Sequence, residues 1–259
     1  MLLEGKVAIV TGAGQGIGQA IALGLAKEGA RVALAARNEA NLRATAKKVE
    51  ALRGQSLVVP TDLHYEDQVR RMVGRVVERW GRVDILVNNS GVAGPTKSLE
   101  DVSAEEWDDT LAVNLRGAFF CCKYVVPRMK EQRWGRIINI SSVSGKRPLP
   151  QRTPYTSSKM ALIGLTRTLA FELGEYGITV NAVCPGATEG PRIQAVIERM
   201  ASFAGTTFEE AKCSFTDPAA LKRLVTPEDT AGLCVFLCSE AGRHMTAQDI
   251  NVTAGLIWY

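Results

Sequence analysis

The sequence predicts an α/β fold, a doubly wound parallel sheet in a single domain. Two observations carry the prediction. Short, wholly apolar runs alternate with stretches of helical periodicity along the whole chain, as repeated β-α units require. A glycine-rich turn follows the first apolar run directly, at the point where such a sheet passes from strand to helix. Right-handed crossovers between parallel strands then set the winding. No linker, low-complexity tract or short-period repeat intervenes, so residues 1–259 read as one domain with a substantial core.

Taken in order, Lys6–Thr11 (KVAIVT) is a strand, apolar throughout because a parallel strand with helices on both sides is buried on both faces. Gly16–Lys27 is a helix, stopped at Gly29. Arg31–Ala36 (RVALAA) is the second strand and Glu39–Arg53 a polar helix. Strand Ser56–Pro60, helix Glu66–Trp80 and strand Val83–Asn88 continue the alternation. A long helical region from about Ala104 to Gln132 is expected to break near Asn114 and Pro127. Strand Arg136–Ile140, helix Pro154–Leu173 and strand Thr179–Cys184 follow. The pattern then lapses between Gly186 and Val225, and residues 187–216 are expected to form an irregular, mobile substrate lid. A helix at Pro227–Leu237 and a strand near Ile250–Val252 close the chain.

Composition narrows the function. A net charge of +4 with mixed signs and no basic run argues against a nucleic-acid partner. No apolar run is long enough to span a bilayer, and the chain enters a strand soon after Met1. No signal peptide or membrane partner is therefore expected, and the expected location is cytoplasmic. The six cysteines (121, 122, 184, 213, 234, 238) mostly lie in apolar segments without C-x-x-C or histidine partners at ligand spacing. They read as free thiols in a reducing compartment, with no metal.

The turn Thr11-Gly12-Ala13-Gly14-Gln15-Gly16-Ile17-Gly18 lies between a strand and a helix. Glycines let backbone approach a pyrophosphate, and the helix N-terminus offers free N–H groups and a positive dipole end. The strand–turn–helix context favours a dinucleotide over an ordinary turn.

Pro154 suits the start of a helix, which places Tyr155 and Lys159 four apart on one face. A cation beside a phenol favours the phenolate and draws its pKa towards neutrality, making an acid/base pair. Ser142 stands thirteen residues upstream at the end of an apolar strand. Its hydroxyl can donate to a substrate oxygen where negative charge develops. Taken singly, Ser142 ends a strand and Asn114 kinks a helix; their joint placement with Tyr155 and Lys159 is what points to chemistry.

These features, with Asn88-Asn89-Ser90-Gly91, Asp62-Leu63 and Cys184-Pro185-Gly186, resemble the short-chain dehydrogenase/reductase family across almost the whole chain. The resemblance implies a seven-stranded Rossmann sheet, a tetramer or dimer, and hydride transfer between a nicotinamide cofactor and a secondary alcohol or ketone. It makes Asn114, Ser142, Tyr155 and Lys159 the catalytic set. Tyr155 would carry the proton, Lys159 would also bind the nicotinamide ribose, and Asn114 would steady a proton-relay water. It sets Gly12, Gln15, Gly16, Ile17, Gly18, Asp62, Leu63, Asn89, Tyr155, Lys159 and Thr188 against the cofactor. Two positions depart from the family pattern: Ser90 replaces the commoner Ala, and Gly190 stands where Thr often contacts the nicotinamide amide. Thr188 is the stand-in.

The residue ending the second strand separates the two cofactors. Here it is Ala36, followed by Arg37, so no carboxylate repels a 2′-phosphate and a guanidinium is at hand to grip one. NADP is expected, with NAD as the second choice if Arg37 stacks on adenine or points to solvent. For the substrate, a small molecule, Lys146, Arg147 and Arg152 in the loop before Tyr155 would suit an acidic compound, unless they are solvated loop charges, and the second pocket loop opens with Glu189 and Arg192. The family pattern resembles 3-oxoacyl thioester reductases as well as sugar and polyol dehydrogenases. Arg133 fits a carrier-protein partner, and Glu175-Tyr176 does not. His64 reads as a surface or adenine-flanking residue and His244 as exposed or at a subunit contact. The apolar end Trp258-Tyr259 reads as packed on another subunit. The competing class is a catalytically silent dinucleotide sensor on the same fold, against which the intact Ser/Tyr/Lys/Asn set speaks.

Overall fold

The computed structural model describes residues 1–259, the side chains of Arg192 and Phe203 excepted. Seven strands form one parallel sheet: β1 (Val7–Thr11), β2 (Arg31–Ala36), β3 (Ser56–Pro60), β4 (Ile85–Asn88), β5 (Gly135–Ile140), β6 (Ile178–Pro185) and β7 (Asp249–Val252). Their spatial order is β3-β2-β1-β4-β5-β6-β7. The helices are α1 (Gly16–Lys27), α2 (Glu39–Ala51), α3 (Glu66–Trp80), α4 (Ala104–Leu111), α5 (Gly117–Gln132), α6 (Thr153–Leu173), α7 (Pro191–Ala204), α8 (Phe208–Thr216) and α9 (Pro227–Cys238). The direction of winding reverses between β1 and β4, and the loops leaving the carboxyl ends of these strands part there to form a crevice.

Alternation along each strand divides the core in two. Ala8 and Val10 face α1, α2 and α9, packing with Ile21, Leu25, Leu42, Cys234 and Leu237. Val7 and Ile9 face the opposite layer with Met72, Val76, Val125, Met129 and Leu173. Burial on both faces is what made these strands read as unbroken apolar runs. β4 starts at Ile85, and just before it the buried Asp84 carboxylate accepts the Val7 N–H (2.9 Å) and two bonds from Arg82 (2.8 and 2.5 Å). Further along the same strand a polar chain crosses the interior. Asn88 Nδ2 donates to Asn139 Oδ1 (2.8 Å), and Asn139 Nδ2 donates to Thr166 Oγ1 (2.9 Å).

Two expectations change. The break near Asn114 is a π-turn, Ala112–Arg116, joining α4 to α5. Pro127 breaks nothing, because it lies inside α5, where only one backbone donor is lost. Residues 187–216 are also far from irregular. Pro191 starts α7, Gly205 ends it in the left-handed conformation (φ 65°), and a capping box at Thr207 opens α8. The pair closes on its own small core of Ile197, Ala201 and Ala211, with Ile193, Phe208 and Phe215 against it.

All six cysteines are free, and only Cys213 is exposed. Burial pushes the Cys122 and Cys238 thiols up to about 12 and Cys184 to about 11, so they are inert as nucleophiles. Among the described residues, no helix is long and apolar enough to cross a membrane.

Candidate active site

The site lies along the carboxyl ends of β1, β4, β5 and β6. At β1, Gly12 (φ 67°) and Gly16 (φ 54°) take left-handed conformations that favour glycine. At Gly12 a Cβ would come within 2.7 Å of Asn89 Nδ2, and at Gly18 one would run into Gly12 O and Asn89 Nδ2. Asn89 is what closes this turn. Its Nδ2 donates to Thr11 O (2.9 Å) and Gly12 O (3.3 Å), while the Asn89 and Ser90 N–H groups donate to Thr11 Oγ1 (2.9 and 3.0 Å). Thr11, the hydroxyl residue ending β1 just before the glycines, thus joins the cofactor turn as the brace that holds it to the Asn89 loop.

Helix α1 begins without a side-chain cap: Gln15 makes no capping bond and the first turn holds no acid. By contrast α4, α8 and α9 each carry a full capping box. An uncapped N-terminus beside backbone that tolerates no Cβ is a fitting seat for a diphosphate, so the residues present suit a dinucleotide. At the end of β2, Ala36 is half-buried. Arg37 is exposed and makes no hydrogen bond or ion pair among the described residues, while neighbouring Asn38 caps α2. The Arg37 charge reaches Asp62, just beyond β3, and helps hold its carboxyl low. Leu63 is buried against Gly117, where a Cβ would meet its own Cβ at 2.8 Å.

The catalytic candidates converge from three elements. Ser142 caps the short 3-10 turn after β5, its Oγ accepting the Ser144 N–H at 3.1 Å. Asn114, in the π-turn and 1 % exposed, grips Val92 with both ends: Oδ1 accepts its N–H (2.8 Å) and Nδ2 donates to its carbonyl (3.1 Å). Nδ2 also donates to Ser158 Oγ on α6 (3.0 Å). Lys159, 4 % exposed, donates to Ile140 O (2.8 Å) and lies 5.8 Å from the centre of the Tyr155 ring. Gly91 marks the meeting point, since a Cβ there would stand 3.2 Å from Asn114 Oδ1 and 3.4 Å from Lys159 Nζ. Ser141 adds a brace from β5, donating to Lys159 O at 2.7 Å.

The basic loop residues are already committed. Lys146 Nζ pairs with Asp249 (2.9 Å) and donates to Asn251 Oδ1 (3.0 Å), tying the Ser142 loop to β7. Arg152 donates to Ala93 O (2.6 Å), with its guanidinium carbon 5.1 Å from the Tyr155 ring centre. Of the expected substrate-facing cluster, only Arg147 makes no such contact among the described residues, and the Arg192 side chain lies outside them. Arg133 donates to Glu175 O (2.9 Å), which engages the residue expected to meet a carrier protein. Thr188 sits between β6 and α7, bridged to Val225 and donating to Gly186 O at 3.0 Å.

The short chain dehydrogenase family model matches residues 6–201. The 3-oxoacyl-[acyl-carrier-protein] reductase of Thermotoga maritima is 37 % identical, covering 99 % of this chain and 100 % of that protein. An actinorhodin polyketide ketoreductase solved with NADPH superposes with a TM-score of 0.93 at 38 % identity, over 98 % of both chains. An NAD⁺-bound xylitol dehydrogenase gives 0.93 at 30 % identity, over 98 % of this chain and 100 % of that one. The chain belongs to the short-chain dehydrogenase/reductase family, nicotinamide-dependent oxidoreductases acting between an alcohol and a ketone.

Proposed function

We propose that this chain is an NADP-dependent ketone reductase, running in reverse as an alcohol dehydrogenase, with Tyr155 as its acid/base. The observation that carries the reading is the meeting of Lys159 and Asn114 at Gly91, with the Tyr155 ring centre 5.8 Å from Lys159 Nζ. In reduction the Tyr155 hydroxyl gives its proton to the carbonyl oxygen as charge develops there, and Ser142 Oγ donates a second hydrogen bond. Lys159, anchored on Ile140 O, holds positive charge beside the phenol and favours its deprotonated form after transfer. Asn114 fixes the Val92 backbone beside Gly91 and would steady a relay water serving Lys159. The bound nicotinamide supplies or accepts the hydride. The silent-sensor alternative has no use for this assembly.

The glycine turn and the α1 N-terminus would hold the diphosphate, with Asp62 and Leu63 at the adenine, Thr188 at the nicotinamide amide, and Arg37 on a 2′-phosphate. A hydrogen bond to a charged group is worth about 1.5–3 kcal/mol, a preference for NADP of roughly ten- to a hundredfold. The ratio of kcat/KM for the two cofactors, in wild type and Ala36→Asp, tests this. NADP should lead in wild type, and the new carboxylate should flatten or reverse the ratio. A wild type that prefers NAD defeats the assignment.

For the substrate, the similarity to 3-oxoacyl and polyketide reductases supports a 3-oxoacyl-type ketone, with sugars and polyols second. The engagement of Lys146 and Arg152 within the fold weighs against a strongly acidic compound. A panel of 3-oxoacyl thioesters, cyclic ketones, sugars and polyols, followed by nicotinamide absorbance, ranks them. The exposed Phe171, Met160 and Trp258 favour a homo-oligomer, tetramer or dimer, and the free thiols favour a cytoplasmic location.

Residues 187–216 act as the lid in this reading. α7 and α8 carry their own core and hang from Gly190 (φ 143°), so they can swing as a unit. Hydrogen exchange should show protection gained across α7 and α8 when cofactor and substrate are both added. Equal exchange with and without them removes the lid.

A further inference from the structure

His64 stands between two carboxylates from different parts of the fold. Its Nδ1 is 2.6 Å from Asp62 Oδ1 in the loop after β3, and its Nε2 is 2.9 Å from Asp109 Oδ1 on α4. An ionised carboxylate oxygen only accepts, so both ring nitrogens must donate, and only the imidazolium carries two N–H groups. The ring is half-buried, and the His64 backbone N–H also donates to Asp62 Oδ1 (3.0 Å). This carboxylate is thereby held from one side, and its other oxygen, Oδ2, makes no hydrogen bond among the described residues.

We propose that His64 is a positioning residue for the cofactor. As an imidazolium it ties Asp62, at the adenine end of the site, to the helix that runs on into Asn114. The inference rests on the cofactor reading above. α4 passes into the π-turn three residues after Asp109, and Asn114 lies five residues after it, so the tie joins the adenine loop to the element carrying a catalytic candidate. Without the second proton, one nitrogen presents its lone pair to a carboxylate in either tautomer, and one arm of the tie repels. Adenine affinity then falls while the reacting end is left in place.

The surroundings agree with this charge state. The hydrogen bond to Asp62 raises the His64 pKa above its ordinary value; burial opposes, and Asp109 adds to the rise. Burial works against ionisation of Asp62, but the His64 backbone N–H, ring and charge, with Arg37, hold its carboxyl below the usual range. The other charged groups nearby are Asp108 and Arg116, which line the same surface hollow of about 720 Å³ as His64 and Asp109. The Tyr65 ring, tilted with its centre 6.4 Å away, is the aromatic neighbour. A raised pKa puts the tie fully in force below the ordinary histidine value of about 6.5 and removes it as pH climbs through the raised value.

The chain has two histidines, so NMR resolves the His64 ring from that of His244 with a single variant. In the full-length protein His64 should titrate above the ordinary value, and Asp109→Asn should lower that titration. Binding of NADPH and of NADH, which lacks a 2′-phosphate, should weaken about fivefold as pH passes through the same value. Reduced nicotinamide mononucleotide, which lacks the adenosine, should show no such step. In His64→Gln the step should vanish and the loss should fall on cofactor KM rather than kcat. Asp109→Asn, at an exposed position, should move the step to lower pH together with the titration, and serves if His64→Gln fails to fold. His64 titrating at or below the ordinary value overturns the proposal, as does a step that the variants leave unmoved or that the mononucleotide shows. Failure of both dinucleotides to bind at any pH overturns the cofactor reading first, whatever the NMR titration shows.

Discussion

Tyr155→Phe is expected to keep its cofactor and lose at least ~10²–10⁴-fold in turnover. The exchange removes one oxygen and leaves the ring, so the packing of Arg152 and Lys159 about it, 5.1 and 5.8 Å from its centre, can persist. Lys159 keeps its bond to Ile140 O, and Asn114 keeps its grip on Val92. What disappears is the only group in the proposed set that exchanges a proton with the substrate oxygen. The loss should therefore fall on kcat, with little change in the dissociation constant for NADPH. A Phe variant within a few-fold of wild type would make Tyr155 a bystander and send the proton to another group.

Gly18→Ala should be the most damaging single methyl in the cofactor site, and its neighbour supplies the control. A Cβ at Gly18 collides with Gly12 O and Asn89 Nδ2 and comes within 2.8 Å of Gly12 C, groups locked by the Thr11 and Asn89 bonds. Backbone cannot swing aside as a side-chain tip can, so the cost belongs at the top of the overpacking range, about 3 kcal/mol. In a chain of this size that lowers Tm by roughly 6–12 °C and distorts the diphosphate seat. At Gly16 a Cβ meets nothing within 4 Å, and only its left-handed φ of 54° is strained. Gly16→Ala should cost about 1–2 kcal/mol. Thermal melts and NADPH titrations of the two variants check the order. Equal effects at both positions would show that the turn yields.

Periodicity alone located the sheet because burial on both faces leaves no other reading of runs such as Val7–Thr11 and Arg31–Ala36. The placement of the motif residues was legible because it is local: glycines in a turn, a tyrosine and lysine one helical turn apart. Two kinds of feature were not. Gly190, Pro191 and Gly205 read as breakers in residues 187–216 but are the start and stop of α7, around an apolar spacing of Ile193, Ile197 and Ala201. The commitments of the loop charges were also out of reach. Lys146 meets Asp249 across 103 residues and Arg152 meets Ala93 across 59, and nothing in the spacing of a sequence announces such a pairing. The same holds for His64, whose second partner is 45 residues away.

The polar chain from Asn88 through Asn139 to Thr166 has a consequence for how this sheet finds one alignment. Apart from Arg136 and the two asparagines, β4 and β5 are apolar on both faces, and sliding one past the other would still bury valine and isoleucine against the helices. Asn88 and Asn139 are direct neighbours in the ladder, and only in that alignment does each amide reach the other. A slip would strand two amides in a dry interior, each costing about 1–3 kcal/mol. The pair thus acts as an index mark between two otherwise interchangeable strands. Since Ser142 follows β5 and Asn89 follows β4, that mark also sets the level at which the two halves of the site face each other.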